Sequence, residues 1–278
     1  MDKEYSLTTP EQLYLVIGDP ISHSLSPRMH SAAYRAVGLP YIMEAARVTR
    51  DALPDFIRGV RALGVRGLAI TMPHKASVIE LLDEIDPQAS RIGAVNTVTQ
   101  NNGRLTGHNT DWIGIVKPLE RLTSLKDKRV AVLGAGGAAA AAVFGCLEGG
   151  ARVTVFNRTK QNADILAERL GCQSAELLDA TSITDCDIII NTTSVGMGEG
   201  GIEQSPLEAA ILRPNHIVFE TIYAPYTTKL LEYASAVGAT IIRGLDMFLE
   251  QGAAQFELHT GSTPPKSQME QILLSSRT

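Results

Sequence analysis

Residues 130–147 form 18 consecutive positions without a charged side chain, VAVLGAGGAAAAAVFGCL. That length is near the minimum for a helix that spans a membrane. However, the segment consists mostly of glycine and alanine, starts with β-branched residues, and contains a glycine cluster after four positions. This order predicts a buried strand, a tight turn and a helix of small residues, and we therefore expect the start of a βαβ unit and no membrane partner.

The same alternation continues through the second half of the chain. Short apolar runs rich in β-branched residues are separated by stretches of helical character, which is typical of a parallel sheet with helices between its strands. The predicted strands are 129–134, 152–157, 187–194, 216–223 and 239–244, and the predicted helical segments lie near 138–149, 160–170, 206–213 and 227–236. A helix over 246–259 and a last short helix after the Pro264-Pro265 break complete the pattern.

The first part of the chain predicts a second sheet. Strands are expected at 13–17, 67–71 and 94–99, and helices at 28–37 and 52–63. Asn102-Gly103 lies between two strand-like arms, which is a strong signal for a hairpin, so this sheet should be mixed but mainly parallel. A connecting helix near 111–122 separates the two parts. The chain is therefore predicted to be an α/β protein of two domains.

Charge and cysteine content exclude several classes of protein. The 278 residues include 25 Lys and Arg against 30 Asp and Glu, a net charge of -5, whereas a nucleic-acid binder usually has a basic excess. The three cysteines, Cys146, Cys172 and Cys186, have no metal or redox spacing, so we expect no metal and inert, reduced thiols. The first ten residues are polar and lack an apolar signal segment, which favours a cytoplasmic location.

The glycine cluster carries a dinucleotide-binding pattern, G-x-G-x-x-A, from Gly134 to Ala139. Gly134 permits the sharp turn, Gly136 lets a pyrophosphate approach the backbone, and Ala139 lets the helix pack closely on the strand. The N-terminus of the following helix offers unpaired N–H groups and a positive dipole end to phosphates. We therefore predict a Rossmann-type domain, the alternative being a glycine-rich turn that binds no ligand.

The end of the second strand of this unit indicates which dinucleotide is bound. An NAD site usually has Asp or Glu there to hold the ribose 2′-hydroxyl, but this strand ends in Asn157-Arg158-Thr159. Arg158 could pair with a 2′-phosphate, Asn157 and Thr159 could donate hydrogen bonds, and Lys160 adds positive charge. The pattern favours NADP, although Arg158 could also be an ordinary surface residue that closes a strand.

Three polar clusters in the first part of the chain could hold a small polar substrate. Residues 22–27, SHSLSP, place hydroxyls before a helix and could bind a carboxylate, although Ser26 could simply cap that helix with Pro27 next to it. Lys75 follows an apolar strand and could donate a proton, or it could be a solvated helix-start lysine. Asn96 and Asp111 could each hold a hydroxyl, and Asp111 could orient the lysine, or both could serve the turns alone.

Taken together, these segments resemble the shikimate dehydrogenase family, which includes shikimate and quinate/shikimate dehydrogenases, over about residues 16–261. The stretches that carry the resemblance, in chain order, are GDPISHSLSP, ITMPHK, IGAVNT, GHNTDWIG, VLGAGGAA, NRT, NTTSVGM, YAPYTT and GLDMFLEQGAAQF. The order and spacing of all nine match the family, so the combined signal is specific.

The resemblance implies a role for each matching residue. It implies that Lys75 is the catalytic lysine and that Asp111 is its partner in a dyad. The implied substrate-binding residues are Ser24, Ser26, Thr71, Asn96, Tyr223 and Gln251. The implied cofactor-binding residues are Gly134, Ala135, Gly136, Gly137, Ala138, Asn157, Arg158, Thr159, Thr192, Gly244 and Met247.

The resemblance also implies the activity: NADPH-dependent reduction of 3-dehydroshikimate to shikimate, with Lys75 as proton donor, in the pathway to the aromatic amino acids. It implies a substrate-binding catalytic domain of residues 1–111 and 246–278, an NADP-binding domain of residues 112–245, and a monomer or homodimer. Two alternatives stay open: a quinate/shikimate dehydrogenase that uses NAD or both cofactors, and a catalytically idle relative, against which the intact Lys75 and Asp111 argue.

Several positions differ from the commonest pattern of the family. Ala69 stands where Asn or Ser is usual, His108 replaces an Asp, and Glu220 stands where Asp is common. Asn162 occupies a position where many NADP-dependent members have a second Arg, for which Lys160 could compensate. The glycine-rich loop at 194–206 is a candidate lid or an idle solvent loop.

Overall fold

The computed structural model describes residues 12–177, 180–198 and 201–276. The polar start of the chain and part of the predicted 194–206 loop lie outside the described residues. The described chain divides into two compact units: unit 1 contains residues 12–85, 95–108 and 255–275, and unit 2 contains residues 86–94, 109–254 and 276. The predicted domain boundaries at 111/112 and 245/246 stay predictions.

The elements alternate along the whole described chain. The strands are β1 (Gln12–Gly18), β2 (Tyr41–Arg47), β3 (Gly67–Ile70), β4 (Glu84–Ile85), β5 (Thr97–Asn101), β6 (Arg104–His108), β7 (Arg129–Leu133), β8 (Arg152–Asn157), β9 (Gln173–Glu176), β10 (Ile188–Asn191), β11 (Ile217–Glu220) and β12 (Thr240–Ile242). The helices are α1 (Ser26–Ala36), α2 (Leu53–Leu63), α3 (Pro87–Ile92), α4 (Asp111–Glu120), α5 (Gly137–Glu148), α6 (Lys160–Leu170), α7 (Ala180–Thr184), α8 (Lys229–Ala236), α9 (Gly244–Thr260) and α10 (Lys266–Leu274).

Unit 1 contains a six-stranded mixed sheet in the order β2-β1-β3-β5-β6-β4. Strands β1, β2 and β3 run parallel, β5 is antiparallel to both β3 and β6, and β4 is parallel to β6. The β5–β6 connection is the predicted hairpin, in which Asn102 and Gly103 have φ of 50° and 80°, as a type I′ turn requires. The carboxyl ends of β1 and β3 therefore lie at the same edge of the sheet as the amino end of β5.

Unit 2 contains a six-stranded parallel sheet in the order β12-β11-β10-β7-β8-β9. Numbered from β7 along the chain, this is the 3-2-1-4-5-6 order of a Rossmann-type sheet. The strand order reverses between β7 and β10, and ligands of such sheets bind outside the carboxyl ends of the strands at this switch point. With the mixed sheet of unit 1, this topology confirms the predicted fold class.

The parallel sheet is buried on both faces, which is why its strands are almost continuously apolar. Val130 and Val132 of β7 pack into one core cluster with α4 and α5, and Ala131 and Leu133 point into a second cluster on the other face. The alanine run of α5, residues 139–142, is buried in the first cluster. Small side chains there let the helix that begins at the glycine turn lie close to the sheet.

Most predicted elements are present, with differences at the sheet edges and in one loop. The strand expected at 94–99 begins only at Thr97, and the helical segment expected near 206–213 is wrong, because only a short 3-10 helix forms at Ala209–Ile211. That segment lies between Pro206 and Pro214, which limits helix length. The edge strands β2, β4 and β9 and the short helices α3 and α7 were not predicted.

Within the described part of the chain, no helix has both the length and the apolar character needed to cross a membrane.

Candidate functional site

Five of the predicted site residues lie near one edge of the sheet in unit 1. Ser24 and Ser26 follow β1, Thr71 and Lys75 follow β3, and Asn96 directly precedes β5. Because β5 is antiparallel to β3, its start meets the carboxyl ends of the other two strands. The topology therefore gathers hydroxyl, amine and amide groups from three sequence-distant segments.

The connection after β3 is held close to β1. The Thr71 N–H donates to the Ile17 carbonyl at 2.9 Å. A Cβ atom on Gly18 would lie 2.5 Å from Thr71 Cγ2, so glycine is needed at that position for the two segments to approach. The hydrogen bond to Ile17 therefore fixes the position of the Thr71 backbone, from which the side chain extends.

Lys75 is fixed by main-chain contacts on both sides. Its carbonyl accepts from the Val95 N–H at 2.7 Å, and the ring Nε2 of the fully buried His74 lies 2.7 Å from the Val48 carbonyl oxygen. The Lys75 side chain itself is half-buried. These contacts hold the backbone from which the Lys75 side chain extends.

Asn96 belongs to a buried polar network. Its Oδ1 accepts from Thr97 Oγ1 at 2.9 Å, and its carbonyl accepts from the Ile70 N–H at 2.7 Å and from Gln255 Nε2 at 3.2 Å. Only 3% of Asn96 is exposed. Gln255 was not predicted as part of the site, although it lies in the matching stretch GLDMFLEQGAAQF.

The serine segment forms a turn before α1. The Ser24 N–H donates to the Ile21 carbonyl at 3.0 Å, and Ser24 Oγ accepts from the Ser26 N–H at 3.3 Å. The residue at the N-cap of α1 is Leu25, so the interpretation of Ser26 as the cap is wrong by one position. Ser26 instead lies in the first turn of the helix, where the positive end of the helix dipole favours an anion.

In unit 2, Asp111 is the first residue of α4 and is buried. Its N–H donates to Asn109 Oδ1 at 3.0 Å, and Asn109 Nδ2 donates to the Ala94 carbonyl at 2.8 Å. The side chain of Asn109 therefore ties the start of α4 to the segment that follows α3.

Helix α4 also packs closely against α9, which carries Met247 and Gln251. A Cβ atom on Gly114 would lie 2.8 Å from the Met247 carbonyl oxygen and 2.9 Å from Gln251 Cβ. Gly114 was not predicted as a site residue. A glycine inside a helix is unfavourable unless packing requires it, and that is the signal that could have identified it.

The glycine turn between β7 and α5 has the geometry of a phosphate cradle. Gly134 has φ of +109°, which favours glycine, and a Cβ there would lie 2.7 Å from Thr192 Oγ1. Thr192 Oγ1 donates to the Leu133 carbonyl at 2.6 Å, so Thr192 lies beside the turn. Within the described residues, no atom lies within 4 Å of a Cβ position on Gly136, which leaves room for a ligand to approach the backbone there.

The turn after β8 presents the predicted cofactor-selecting residues. Asn157 Nδ2 donates to the Thr159 carbonyl at 2.9 Å, and the Arg158 side chain is exposed. Lys160 Nζ lies 2.7 Å from Asp164 Oδ1, and this hydrogen bond is the largest factor that lowers the pKa of Asp164. The charge that Lys160 was expected to add is therefore offset by Asp164.

Tyr223 and Gly244 lie together in unit 2, the first after the end of β11 and the second at the start of α9. The Tyr223 ring centroid is 4.8 Å from that of Phe248, and burial raises the pKa of the phenol. A Cβ atom on Gly244 would collide with the Ile222 carbonyl oxygen, so α9 can begin here only with glycine.

The structure thus forms two groups of predicted site residues, one in each unit. Ser24, Ser26, Thr71, Lys75 and Asn96 belong to unit 1, and Asp111, Tyr223, Gln251 and all predicted cofactor-binding residues belong to unit 2. The pairing of Lys75 with Asp111 stays a prediction.

Among the described residues, no group of three or more His, Cys, Asp or Glu side chains is arranged to hold a metal ion.

Comparison with known proteins identifies the family. Three family models match: the shikimate dehydrogenase substrate binding domain over residues 16–98, shikimate / quinate 5-dehydrogenase over residues 118–218, and the shikimate 5'-dehydrogenase C-terminal domain over residues 244–274. The chain belongs to the shikimate dehydrogenase family. The resemblance that the sequence motifs predicted is therefore confirmed.

Individual relatives of the family match almost the whole chain. A shikimate dehydrogenase (NADP(+)) of Bacillus cereus (strain G9842) is 43% identical over 272 residues, which cover 95% of this chain and 98% of the relative. The shikimate 5-dehydrogenase of Thermus thermophilus, solved with NADP(H) and shikimate, matches with a TM-score of 0.88 at 38% identity. The match covers 95% of this chain and 99% of the relative. A quinate dehydrogenase of Corynebacterium glutamicum, solved with NAD, matches with a TM-score of 0.87 at 30% identity. That match covers 96% of this chain and 100% of the relative.

Proposed function

We propose that this protein is an NADP-dependent shikimate dehydrogenase, which reduces 3-dehydroshikimate reversibly to shikimate. The observation that carries the proposal is the 43% identity, over 95% of the chain, to a relative with that name. The Thermus thermophilus relative, solved with NADP(H) and shikimate, supports the same substrate and cofactor. The reaction belongs to the biosynthesis of aromatic amino acids.

The open space over Gly136 fits a dinucleotide phosphate, and the glycine turn that we assign to it comprises Gly134, Ala135, Gly136, Gly137 and Ala138. Asn157, Arg158 and Thr159 would bind the adenosine end, where the guanidinium of Arg158 pairs with a 2′-phosphate. Thr192, Gly244 and Met247 complete the cofactor-binding set. The dinucleotide, when bound, supplies the hydride.

The substrate would be held by polar groups that match its functional groups. Ser24 and Ser26, with Tyr223, bind the carboxylate at the positive end of α1. The ring hydroxyls are bound by Thr71, Asn96 and Gln251. Because such a site has buried donors and acceptors, an analogue that lacks a ring hydroxyl leaves some of them unpaired and is rejected.

Lys75 donates a proton to the oxygen of the ketone as it becomes an alcohol, and Asp111 orients Lys75 and balances its charge. Proton donation of this kind contributes about 10²–10⁴-fold to the rate. The rest of the acceleration comes from positioning, to which the main-chain anchors of Lys75 contribute.

A quinate/shikimate dehydrogenase that uses NAD or both cofactors is the second candidate, and the match to the quinate dehydrogenase solved with NAD favours it. A catalytically idle relative is disfavoured because Lys75 and Asp111 are both present. The enzyme would be cytoplasmic, a monomer or homodimer, and would bind no nucleic acid, in line with its net charge of -5.

Steady-state rates with shikimate and quinate, each with NADP and NAD, test the proposal. We expect the highest kcat/KM with shikimate and NADP. A preference for NAD above about tenfold, which corresponds to about 1.4 kcal/mol, would overturn the cofactor assignment, and a preference for quinate would favour the second candidate.

A further inference from the structure

Glu220, the last residue of β11, has a fully buried side chain in unit 2. Its carboxylate accepts hydrogen bonds from three residues. Asn191 Nδ2 lies 3.0 Å from both carboxylate oxygens, the Ile222 N–H donates to one oxygen at 3.0 Å, and Thr228 Oγ1 donates to the other at 2.9 Å. A buried carboxylate with this many donors serves as an organising group for the segments that supply them.

One of these segments follows β10 and lies beside the glycine turn. The Oδ1 atom of Asn191 accepts from the Thr193 N–H at 3.0 Å and from Thr193 Oγ1 at 2.8 Å. The preceding residue, Thr192, donates to the Leu133 carbonyl next to Gly134. The Asn191 amide therefore orients Thr193, whose Cγ2 would lie 3.3 Å from a Cβ atom on Gly134 of the proposed phosphate site.

The other segment follows β11 and lies beside the start of α9. The Ile222 N–H is held by Glu220, and the Ile222 carbonyl lies against Gly244. Tyr223 is the next residue. Glu220 thus fixes the backbone that lies against Gly244, a proposed cofactor-binding residue, and that leads into Tyr223, a proposed carboxylate-binding residue.

We propose that Glu220 is a positioning residue whose carboxylate holds residues 192–193 and 222–223 in the arrangement that binds the dinucleotide. The proposal rests on the proposed function for the identity of the ligand. A carboxylate only accepts hydrogen bonds, so it forces the NH₂ group of Asn191 towards itself and leaves the Asn191 oxygen for Thr193. A neutral amide at position 220 would bring one NH₂ group against another and would weaken this orientation.

The pKa of Glu220 is raised to about 7, first by burial, and the hydrogen bonds from Ile222, Asn191 and Thr228 oppose the shift. The titratable groups on the segment after β11 are Tyr223, whose pKa is raised by burial, and Tyr226, whose ring lies against Arg243. Lys229 of α8 pairs with Glu232 and Glu203, and Asp246 lies in the first turn of α9. Asn191, Thr192 and Thr193 bring no charge. Protonation of Glu220 below about pH 7 should therefore mimic the neutral amide.

The test compares E220Q, E220D and wild type by fluorescence titration with NADPH, by KM and kcat, and by thermal unfolding. At pH 8 we expect E220Q to raise the dissociation constant for NADPH about fivefold to fiftyfold, with a smaller change in kcat. E220D keeps the charge and should restore most of the affinity. The ratio between E220Q and wild type should shrink as the pH falls through 7, because the wild-type carboxyl is then also neutral.

The proposal is overturned if E220Q binds NADPH within twofold of wild type at pH 8, or if the ratio does not change with pH. If E220Q does not fold, Thr228→Val removes one hydrogen bond to Glu220 and should raise the NADPH dissociation constant about twofold to fivefold, whereas the exposed Thr240→Val should not. An unchanged constant for Thr228→Val overturns the proposal. The proposed function is tested separately, because a wild-type protein that binds NADPH but does not reduce 3-dehydroshikimate contradicts only the function.

Discussion

Lys75 illustrates what single residues contribute to the candidate site. The sequence predicted its chemistry from its position after an apolar strand, but the contacts that fix it come from elsewhere in the chain. Val95 donates to its carbonyl, and His74 contacts the carbonyl of Val48, which follows the unpredicted strand β2. Such partners depend on tertiary register, which one sequence does not give.

Replacing Lys75 with Ala removes the proposed proton donor but not the hydroxyl and amide groups assigned to the substrate. We expect kcat to fall about 10²–10⁴-fold while the KM for 3-dehydroshikimate changes little. Steady-state kinetics measure both parameters, and Lys126→Ala, an exposed lysine in unit 2, is the control. A variant that keeps most of its turnover would contradict the mechanism.

Arg158 is proposed to distinguish NADPH from NADH. Arg158→Ala should lose a charge-assisted hydrogen bond, which costs about 1.5–3 kcal/mol, so the KM for NADPH should rise about tenfold or more while that for NADH stays nearly constant. The matched control is Arg152→Ala, because Arg152 is exposed at the opposite end of the same strand, β8. Equal effects on both cofactors would remove Arg158 from the selecting role.

At the scale of elements, the sequence predicted best where a strand is buried on both faces. Strands β7 and β8 are mainly apolar and were predicted within one residue of their observed bounds, whereas the strand expected at 187–194 is shorter, because β10 ends at Asn191. The edge strands β2 and β9 have mixed sequences, YIMEAAR and QSAE, and their partners rather than their own residues make them strands. The glycine turn was predictable because its conformation restricts which residues can occupy it.

Two glycines of that turn should respond differently to substitution. Gly134→Ala places a Cβ at positive φ and 2.7 Å from Thr192 Oγ1. This strain costs roughly 1–3 kcal/mol, so the midpoint of thermal unfolding should fall. Gly136→Ala meets no described atom within 4 Å and should leave the midpoint nearly unchanged, yet it should raise the KM for NADPH about tenfold, because the methyl group occupies the proposed phosphate position. If Gly136→Ala binds NADPH normally, the cradle is misplaced.

At the scale of the whole molecule, alternation of strands and helices predicted the two-sheet α/β architecture, and nine motifs predicted the family. The division of the chain into two units was harder to predict from the sequence. Helix α9 carries Met247 and Gln251 in unit 2 and Gln255 in unit 1. Local patterns report burial but not the partner against which a residue is buried, so groups such as Gln255 and Asn191 were missed.

Two histidines of unit 1, the fully buried His30 and the partly buried His259, should make the protein sensitive to acid. Burial lowers the pKa of His30 to about 3 and that of His259 to about 4. In the unfolded chain these histidines bind protons near pH 6.5, so the folded state keeps its full free energy of unfolding above that pH. As the pH falls from 6.5 towards 4, the free energy of unfolding decreases by about 1.4 kcal/mol per pH unit for each histidine.

Urea unfolding between pH 7.5 and 4.5 measures this dependence. His30→Leu removes one titrating group with little change in volume, so its stability should depend less steeply on pH than that of wild type. If the free energy of unfolding depends on pH with the same slope in both proteins, the acid sensitivity comes from carboxyl groups instead.

Burial of the cysteines has a practical consequence for labelling. The pKa of Cys146 is raised to about 12 and those of Cys172 and Cys186 to about 11, so little thiolate is present at neutral pH to react with alkylating reagents. A single new thiol at an exposed position, such as Leu63→Cys, where the native side chain is 82% exposed, would then react with a maleimide dye well before the native three. The protein could therefore be labelled with one fluorophore at the new thiol without replacing its native cysteines.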